Sequence, residues 1–297
     1  MHFCLKCAMM ISWGLCRIQA PSEGRTKMNL LILLSIILSV LLGVSHAVDL
    51  ALFVDPETGL CLTGSVWLRY AALAVAVLAA VLAGRTGKPE PKCLCGPCKP
   101  SGTMAVLGGV LMAAAGAAKI ILGSAPLAKG VWGALAICCG GWLAAVGRSW
   151  LRKDWKRPTG SLTEAVLGSA IFYWCVLTRF MENSSSWHRV SPTAAVWQML
   201  AALLFLSTLC RALYLPETAN GKTLCASGLA AFALCLCWAL PETVQQMKNG
   251  LTALPEVLFG LGLCCVGTLG GLCAWRVAAA QPEKATPHSK TPRHSVG

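Results

Sequence analysis

The sequence predicts an all-α protein, a polytopic transmembrane bundle of about eight helices. Of the 297 residues, 56% are hydrophobic and only 12% are charged, whereas soluble domains average about 25% charged residues. The mean hydropathy is +0.64. The apolar residues also occur in uninterrupted stretches of roughly 20, the length that crosses about 30 Å of hydrocarbon. These observations exclude a water-soluble enzyme.

Eight candidate spans lie between polar or Pro/Gly interruptions of the apolar pattern. They cover residues 29–48, 66–83, 103–123, 127–147, 161–180, 193–214, 223–240 and 254–275. Tryptophans lie near several predicted ends, where their amphipathic rings suit the membrane interface: Trp67, Trp132, Trp150, Trp187, Trp197, Trp238 and Trp275. Only the turn at residues 124–126 separates the third span from the fourth, so we expect a tight helical hairpin there.

The amino-terminal residues 1–27 differ from the rest of the chain, because they have no clean apolar period. Residues 22–25, Ser-Glu-Gly-Arg, are a peptide that a purine-rich ribosome-binding site would encode if it were translated by mistake. They lie just ahead of Met28, so we expect translation to start at Met28. A genuine cytosolic leader is the alternative. The segment after Met28 also resembles a signal peptide, with Ser45 and Ala47 at the −3 and −1 positions of a cleavage site. We favour an uncleaved helix, because without residues 1–27 only the amino terminus gives this segment a positive charge.

Basic residues predict the orientation. Nineteen Lys and Arg fall on one side of the predicted spans and five on the other, which places both termini in the cytoplasm of a bacterial inner membrane. The formal net charge of +13 is thus mostly a topology signal, and no nucleic-acid partner is needed to explain it. The densest basic segment, residues 147–158, is typical of contact with anionic headgroups of the lipid bilayer. The tail, residues 276–297, contains three prolines and is expected to be disordered in the cytoplasm.

Weak internal matches suggest a repeat. Residues 66–67 match residues 196–197 at an offset of 130, and residues 137–139 match residues 263–265 at an offset of 126. We hypothesise two tandem four-helix units, within residues 28–147 and 161–275, related by an axis along the membrane normal. Compositional bias is the alternative.

The tripeptide Pro-Glu-Thr occurs three times, at residues 56–58, 216–218 and 241–243, each time just past a predicted span. Proline cannot continue a helix without losing a hydrogen bond. We therefore interpret each copy as the end of a helix that has left the bilayer.

The chain has 17 cysteines, most of them in predicted spans, where cysteine acts as a small apolar residue. The one compact group is Cys93, Cys95 and Cys98 in a predicted cytoplasmic loop. Residues 95–98, Cys-Gly-Pro-Cys, resemble the thioredoxin active-site tetrapeptide, but the βαβ scaffold of that enzyme has no room in so short a loop. The loop supplies three of the four ligands of a closed zinc site, and the fourth would come from Cys4, Cys7 or another chain. An unreactive turn, a metal site and thiol exchange are the alternatives, and we assign no metal or cofactor.

Ionisable groups inside a bilayer usually have a function, so their positions matter. His46, Asp49, Lys119 and Glu256 lie near the outer ends of their spans and form a candidate outer vestibule. None lies at the midplane, which disfavours a proton- or sodium-coupled pump. Asp49 and Lys119 are at similar depth and form a candidate ion pair, although we favour a Lys119 side chain that extends to the headgroups.

The leading functional hypothesis is a permease-like carrier of a small solute, moving it between the two halves, and we favour a protein that is not an enzyme. No nucleotide-binding, metalloprotease or nucleophile-elbow motif occurs, so no catalytic residue is assigned. The alternatives are a membrane scaffold or accessory subunit that docks a cytoplasmic protein partner, and a thiol-redox protein using Cys95 and Cys98. A carrier should have a water-filled cavity that reaches the midplane. A scaffold should have a solid core, which the small residues of the third and eighth predicted spans would favour.

Overall fold

The fold is an all-α bundle, as the sequence predicts. The structure, a computed structural model, describes residues 23–55, 62, 64–85, 91–122, 127–158, 161–181, 190–249 and 253–280. Within these residues, eight helices are long and apolar enough to span a membrane, so the protein is a multi-pass membrane protein. They are α1 (Glu23–Leu52), α2 (Val66–Arg85), α3 (Lys99–Leu122), α4 (Leu127–Leu151), α5 (Leu162–Met181), α6 (Val190–Tyr214), α7, which consists of Gly221–Ala231, Phe232–Trp238 and Ala239–Asn249, and α8 (Leu254–Ala279).

Successive helices run in opposite directions, so the bundle has two distinct ends. At the end that we call the Glu242 end, α1, α3, α5 and α7 finish, and α2, α4, α6 and α8 begin. At the other end, the Cys95 end, a short 3₁₀ helix (Pro91–Leu94) lies between α2 and α3.

The centre of the bundle is α8, which packs along α3 and α7 and also contacts α1 and α6. Close backbone approach makes this packing possible. A Cβ atom added to Gly228 of α7 would lie 2.6 Å from the carbonyl oxygen of Gly270 in α8, and one added to Gly270 would lie 2.6 Å from that of Gly228. The predicted hairpin of α3 and α4 is equally close, because a Cβ atom added to Gly109 would lie 2.6 Å from the Gly140 carbonyl oxygen. These small residues fill the core of the described bundle with direct helix-to-helix contact.

The seventh helix is longer than the sequence predicted. Pro241 lies inside it rather than at its end, and the helix continues to Asn249. Proline has no amide hydrogen, so Pro241 cannot donate a hydrogen bond to the carbonyl oxygen four residues earlier in the helix. The segment before it, Phe232–Trp238, takes the wider π-helical turn. The interpretation of Pro241-Glu242-Thr243 as a helix stop outside the bilayer is therefore wrong.

The other span predictions are confirmed to within a few residues. The second Pro-Glu-Thr copy forms a turn at residues 216–218, directly after α6. The first copy, residues 1–22 and the tail from residue 281 lie outside the described residues. The predicted boundary of that tail was slightly early, since α8 runs to Ala279.

Candidate functional site

A polar cluster joins three helices near the Glu242 end, and we call it the Glu242 cluster. It consists of His46 in α1, Gln198 in α6, and Trp238 and Glu242 in α7. The Trp238 Nε1 group donates to Glu242 Oε1 at 3.2 Å, and Gln198 Nε2 donates to Glu242 Oε2 at 3.2 Å. Both carboxylate oxygens therefore accept a hydrogen bond from a neutral donor.

His46 completes the cluster from the side of α1. Its ring stacks on that of Trp238, with centroids 3.6 Å apart and planes inclined by 14°. Its Nε2 atom lies 3.7 Å from Glu242 Oε1, which is too long for a hydrogen bond. Within the described residues, neither ring nitrogen has a hydrogen-bond partner, although the side chain is only 6% exposed.

The cluster lies inside the helical bundle and not at its surface. Glu242 is 14% exposed and Gln198 4%. His46, Gln198 and Glu242 are each six to eight residues from the end of their helix, which corresponds to a depth of about 9–12 Å at 1.5 Å per residue. A carboxylate and an imidazole at this depth are costly to bury, and such groups in membrane helices usually serve function.

An ion pair lies between the cluster and the Glu242 end. Arg69 of α2 binds Asp49 of α1 with two parallel hydrogen bonds, Nε to Oδ2 at 2.7 Å and Nη2 to Oδ1 at 2.6 Å. Asp49 is one helical turn beyond His46 on the same side of α1. Next to Arg69 in sequence, the Tyr70 hydroxyl and that of Thr193 in α6 lie 3.2 Å apart. The structure thus has polar contacts at two successive positions along α1, one at His46 and one at Asp49.

A second ion pair at this end joins α3 to α8. Lys119 pairs with Glu256, and its Nζ atom also lies 5.6 Å from the ring centroid of Trp132. The candidate pairing of Lys119 with Asp49 is wrong, because each of them has a different partner. Lys119 therefore does more than extend to the headgroups. Of the four residues in the candidate vestibule, Lys119 and Glu256 are in contact with each other. The other two lie in α1, where His46 faces Glu242 and Asp49 pairs with Arg69.

Sequence reasoning missed Glu242, Gln198 and Trp238. The sequence pattern places Glu242 outside the membrane, because Glu242 follows proline, and it places Trp238 at the membrane interface. A usable signal was present, since the four-residue spacing of Trp238 and Glu242 puts an indole donor and a carboxylate on one helical face. The prediction that no ionisable group lies at the midplane did not consider Glu242, which lies seven residues from the end of α7.

The opposite end of the bundle is closed by the cysteine-containing loop. Leu94 is completely buried, and Trp150 of α4 donates from Nε1 to its carbonyl oxygen at 2.8 Å. The backbone amide of Cys98 donates to the Trp150 carbonyl at 2.9 Å. Arg276 of α8 donates to the Cys93 carbonyl at 3.0 Å. These bonds fix the loop as an ordered cap on the Cys95 end.

The thiols of this cap are turned to separate partners. Cys95 Sγ lies 3.9 Å from the carbonyl oxygen of Ala212, and Cys98 Sγ lies 3.3 Å from Ser101 Oγ. Burial raises the pKa of Cys95, and the charges of Arg157 and Arg276 offset this only in part. No group of three or more His, Cys, Asp or Glu side chains in the described part of the chain is arranged to hold a metal ion.

Comparisons of the chain with protein-family models, with curated proteins and with solved structures find no match.

Proposed function

We propose that this membrane protein is a carrier of a small solute and that the Glu242 cluster is its coupling site for protons. The observation that supports this most strongly is the buried imidazole of His46, which has no hydrogen-bond partner among the described residues and faces a carboxylate at 3.7 Å. The sequence alone disfavours proton coupling, because it places no ionisable group at the midplane. Glu242 lies seven residues from the end of α7 and not at its middle, so the proposal rests on the burial of the His46–Glu242 pair and not on its depth.

The chemistry of the pair suits a change of charge. When His46 binds a proton, its contact with Glu242 becomes an ion pair, and when it is neutral, the carboxylate has only neutral donors around it. The net charge of the cluster thus differs by one unit between the two states. A solute that binds one state better than the other is thermodynamically linked to the proton.

The irregular helix next to the cluster also supports a carrier. Trp238 is the last residue of the π-helical segment, and Glu242 follows Pro241 directly. Carriers often bind substrates and ions where a membrane helix departs from regular geometry near the interface of two structural units. In the proposed tandem arrangement, the cluster joins α1 of the first unit to α6 and α7 of the second.

We further propose that the protein lies in the cell membrane of a bacterium with both termini in the cytoplasm, as the distribution of basic residues predicts. The Glu242 end then faces outward.

The test uses proteoliposomes that contain a pH-sensitive dye. Small solutes of different charge are added outside, and solute-dependent proton movement is recorded for the wild type and for Glu242→Gln. We expect at least one solute to move protons in the wild type and none to do so in the variant. Glu217→Gln is the matched control, because Glu217 is exposed at the Cys95 end. Retention of the flux in Glu242→Gln would contradict the assignment of the site.

The second candidate is a scaffold that does not transport, and the solid core favours it. Close backbone contacts of α8 with α7 fill the centre of the described bundle. The same proteoliposomes distinguish the two functions, since a scaffold gives no solute-dependent flux with any member of the panel. A thiol-redox function has less support, because burial raises the pKa of Cys95, whereas redox cysteines need a lowered pKa.

A further inference from the structure

A groove of about 720 Å³ runs along the side of the bundle between α2 and α6, with α7 as its floor. Its volume is within the range of ligand sites, about 300–1,000 Å³. Because the exposed Leu200 and Leu204 form part of its wall, it opens sideways toward the space that lipid occupies. It is separate from the Glu242 cluster, none of whose residues line it.

The groove has a charged mouth at the Cys95 end. Arg85 at the end of α2 and Lys222 at the start of α7 both line it, and both are exposed. Among the described residues, neither forms an ion pair with an acidic side chain, and no acidic residue lines the groove. Two cations without a counter-charge in the groove make its mouth complementary to an anion.

Deeper in the groove the lining becomes first hydroxylic and then apolar. The hydroxyl oxygens of Thr208 and Ser227 lie 2.8 Å apart. Ser227 is five residues after Lys222 in α7, which corresponds to about 7–8 Å along the helix. Beyond them, Val77, Leu204 and Leu234 line the groove. The order from the mouth inward is therefore cation, hydroxyl and hydrocarbon surface.

We propose that this groove is a binding site for one anionic phospholipid. The phosphate would lie between Arg85 and Lys222, the glycerol esters beside Thr208 and Ser227, and one acyl chain along the apolar wall. A phospholipid presents these three chemistries in the same order and at similar spacing. Basic pockets between membrane helices are known to recognise acidic headgroups in this way.

The test is native mass spectrometry of the full chain in detergent, with phosphatidylglycerol and phosphatidylcholine of identical acyl chains added separately. We expect phosphatidylglycerol to saturate at one tight lipid per chain and to bind about tenfold more tightly than phosphatidylcholine. Replacing both exposed cations, Arg85→Gln with Lys222→Gln, should remove this preference. Arg211→Gln is the matched control, because Arg211 is also an exposed cation at the Cys95 end of the bundle, in α6, but does not line the groove.

A second variant tests the apolar part. Ala230 lines the groove on α7 and is partly exposed, so Ala230→Phe should fill the groove and weaken phosphatidylglycerol binding while both cations remain. Equal binding of the two lipids, or an unchanged preference in the double variant, would overturn the proposal. Unchanged phosphatidylglycerol binding in Ala230→Phe would show that the acyl chain does not lie in the groove. Full competition by glycerol phosphate would show that the headgroup alone accounts for binding. Either result would also overturn the proposal.

Discussion

The two ion pairs at the Glu242 end differ in burial, and this difference determines what each contributes. The Arg69 side chain is 11% exposed and that of Asp49 22%, in a bidentate arrangement. Lys119 and Glu256 are 24% and 40% exposed. A partner removed from the more buried pair leaves a charge that water reaches poorly, so the cost is larger there.

We therefore expect Asp49→Asn to lower the free energy of unfolding by about 1–3 kcal/mol, and Lys119→Met to lower it by about 0–1 kcal/mol. Chemical unfolding in detergent measures both changes. A double-mutant cycle of Asp49→Asn with Arg69→Gln should give a coupling above about 1 kcal/mol. A coupling near zero would show that the two hydrogen bonds contribute nothing net.

The thiol of Cys95 provides a prediction of pH dependence. The thiolate is the form that reacts with iodoacetamide, and a raised pKa leaves less of it at any pH near neutrality. Alkylation of Cys95 in the folded protein should therefore be slower at pH 7 than in a peptide of residues 91–99, and its rate should go on rising with pH above the unperturbed pKa of 9.0, where the rate in the peptide levels off. Mass spectrometry of the digested protein measures the rates. Faster alkylation than in the peptide at pH 7 would instead support a redox function.

At the scale of single elements, α7 is the least regular helix and the one that carries the site. Its π-helical segment ends at Trp238, and Gly43 of α1 packs directly on the backbone of Cys237 within it. A Cβ atom at Gly43 would lie 2.5 Å from the Cys237 carbonyl oxygen. Glycine is needed here for close approach, and this approach brings His46, one turn further along α1, onto Trp238.

Gly43→Ala should therefore separate α1 from α7 and destabilise the protein by about 1–3 kcal/mol, the usual cost of overpacking. The matched control is Gly141→Ala, because nothing lies within 4 Å of a Cβ atom added there. Alanine favours helix over glycine by about 1 kcal/mol, so the control should be neutral or stabilising. Thermal unfolding in detergent compares them. Equal effects of the two substitutions would mean that the α1–α7 contact is looser than described.

The sequence predicts these elements well and their partners poorly, for a physical reason. Hydropathy depends on the length of an apolar run, so the spans could be found from composition alone. It gives the depth of a residue but not the direction in which it faces around the bundle, and this is why Lys119 and Asp49 were paired although α3 packs on α8 and α1 packs on α2 and α7. Glu242 was lost because a proline followed by an acid usually marks a helix end, whereas here Gln198 and Trp238 provide its hydrogen bonds inside the bundle.

At the scale of the whole molecule, the two ends have different chemistry. The Glu242 end holds both ion pairs of the described residues and the contact of His46 with Glu242. The Cys95 end is closed by a loop held through Trp150 and Arg276. The tandem repeat stays a prediction.

Orientation can be tested by labelling intact cells with a maleimide that does not cross the membrane. We expect it to reach Cys61 and an exposed introduced thiol, Lys248→Cys, and to miss Cys93, Cys95 and Cys98. Glu217→Cys, exposed at the Cys95 end, serves as the matched control and should be labelled only after the cells are permeabilised. Labelling of Glu217→Cys from outside would reverse the orientation.

The proton coupling proposed for Glu242 and His46 requires that their site exchange a proton inside the helical bundle. Infrared difference spectroscopy of the reconstituted protein during a pH step measures this exchange directly, because neutral and protonated imidazole rings absorb at different frequencies. We expect a His46 imidazole signal in the wild type that disappears in His46→Gln and shifts in its pH dependence in Glu242→Gln. A spectrum that neither substitution changes would contradict it.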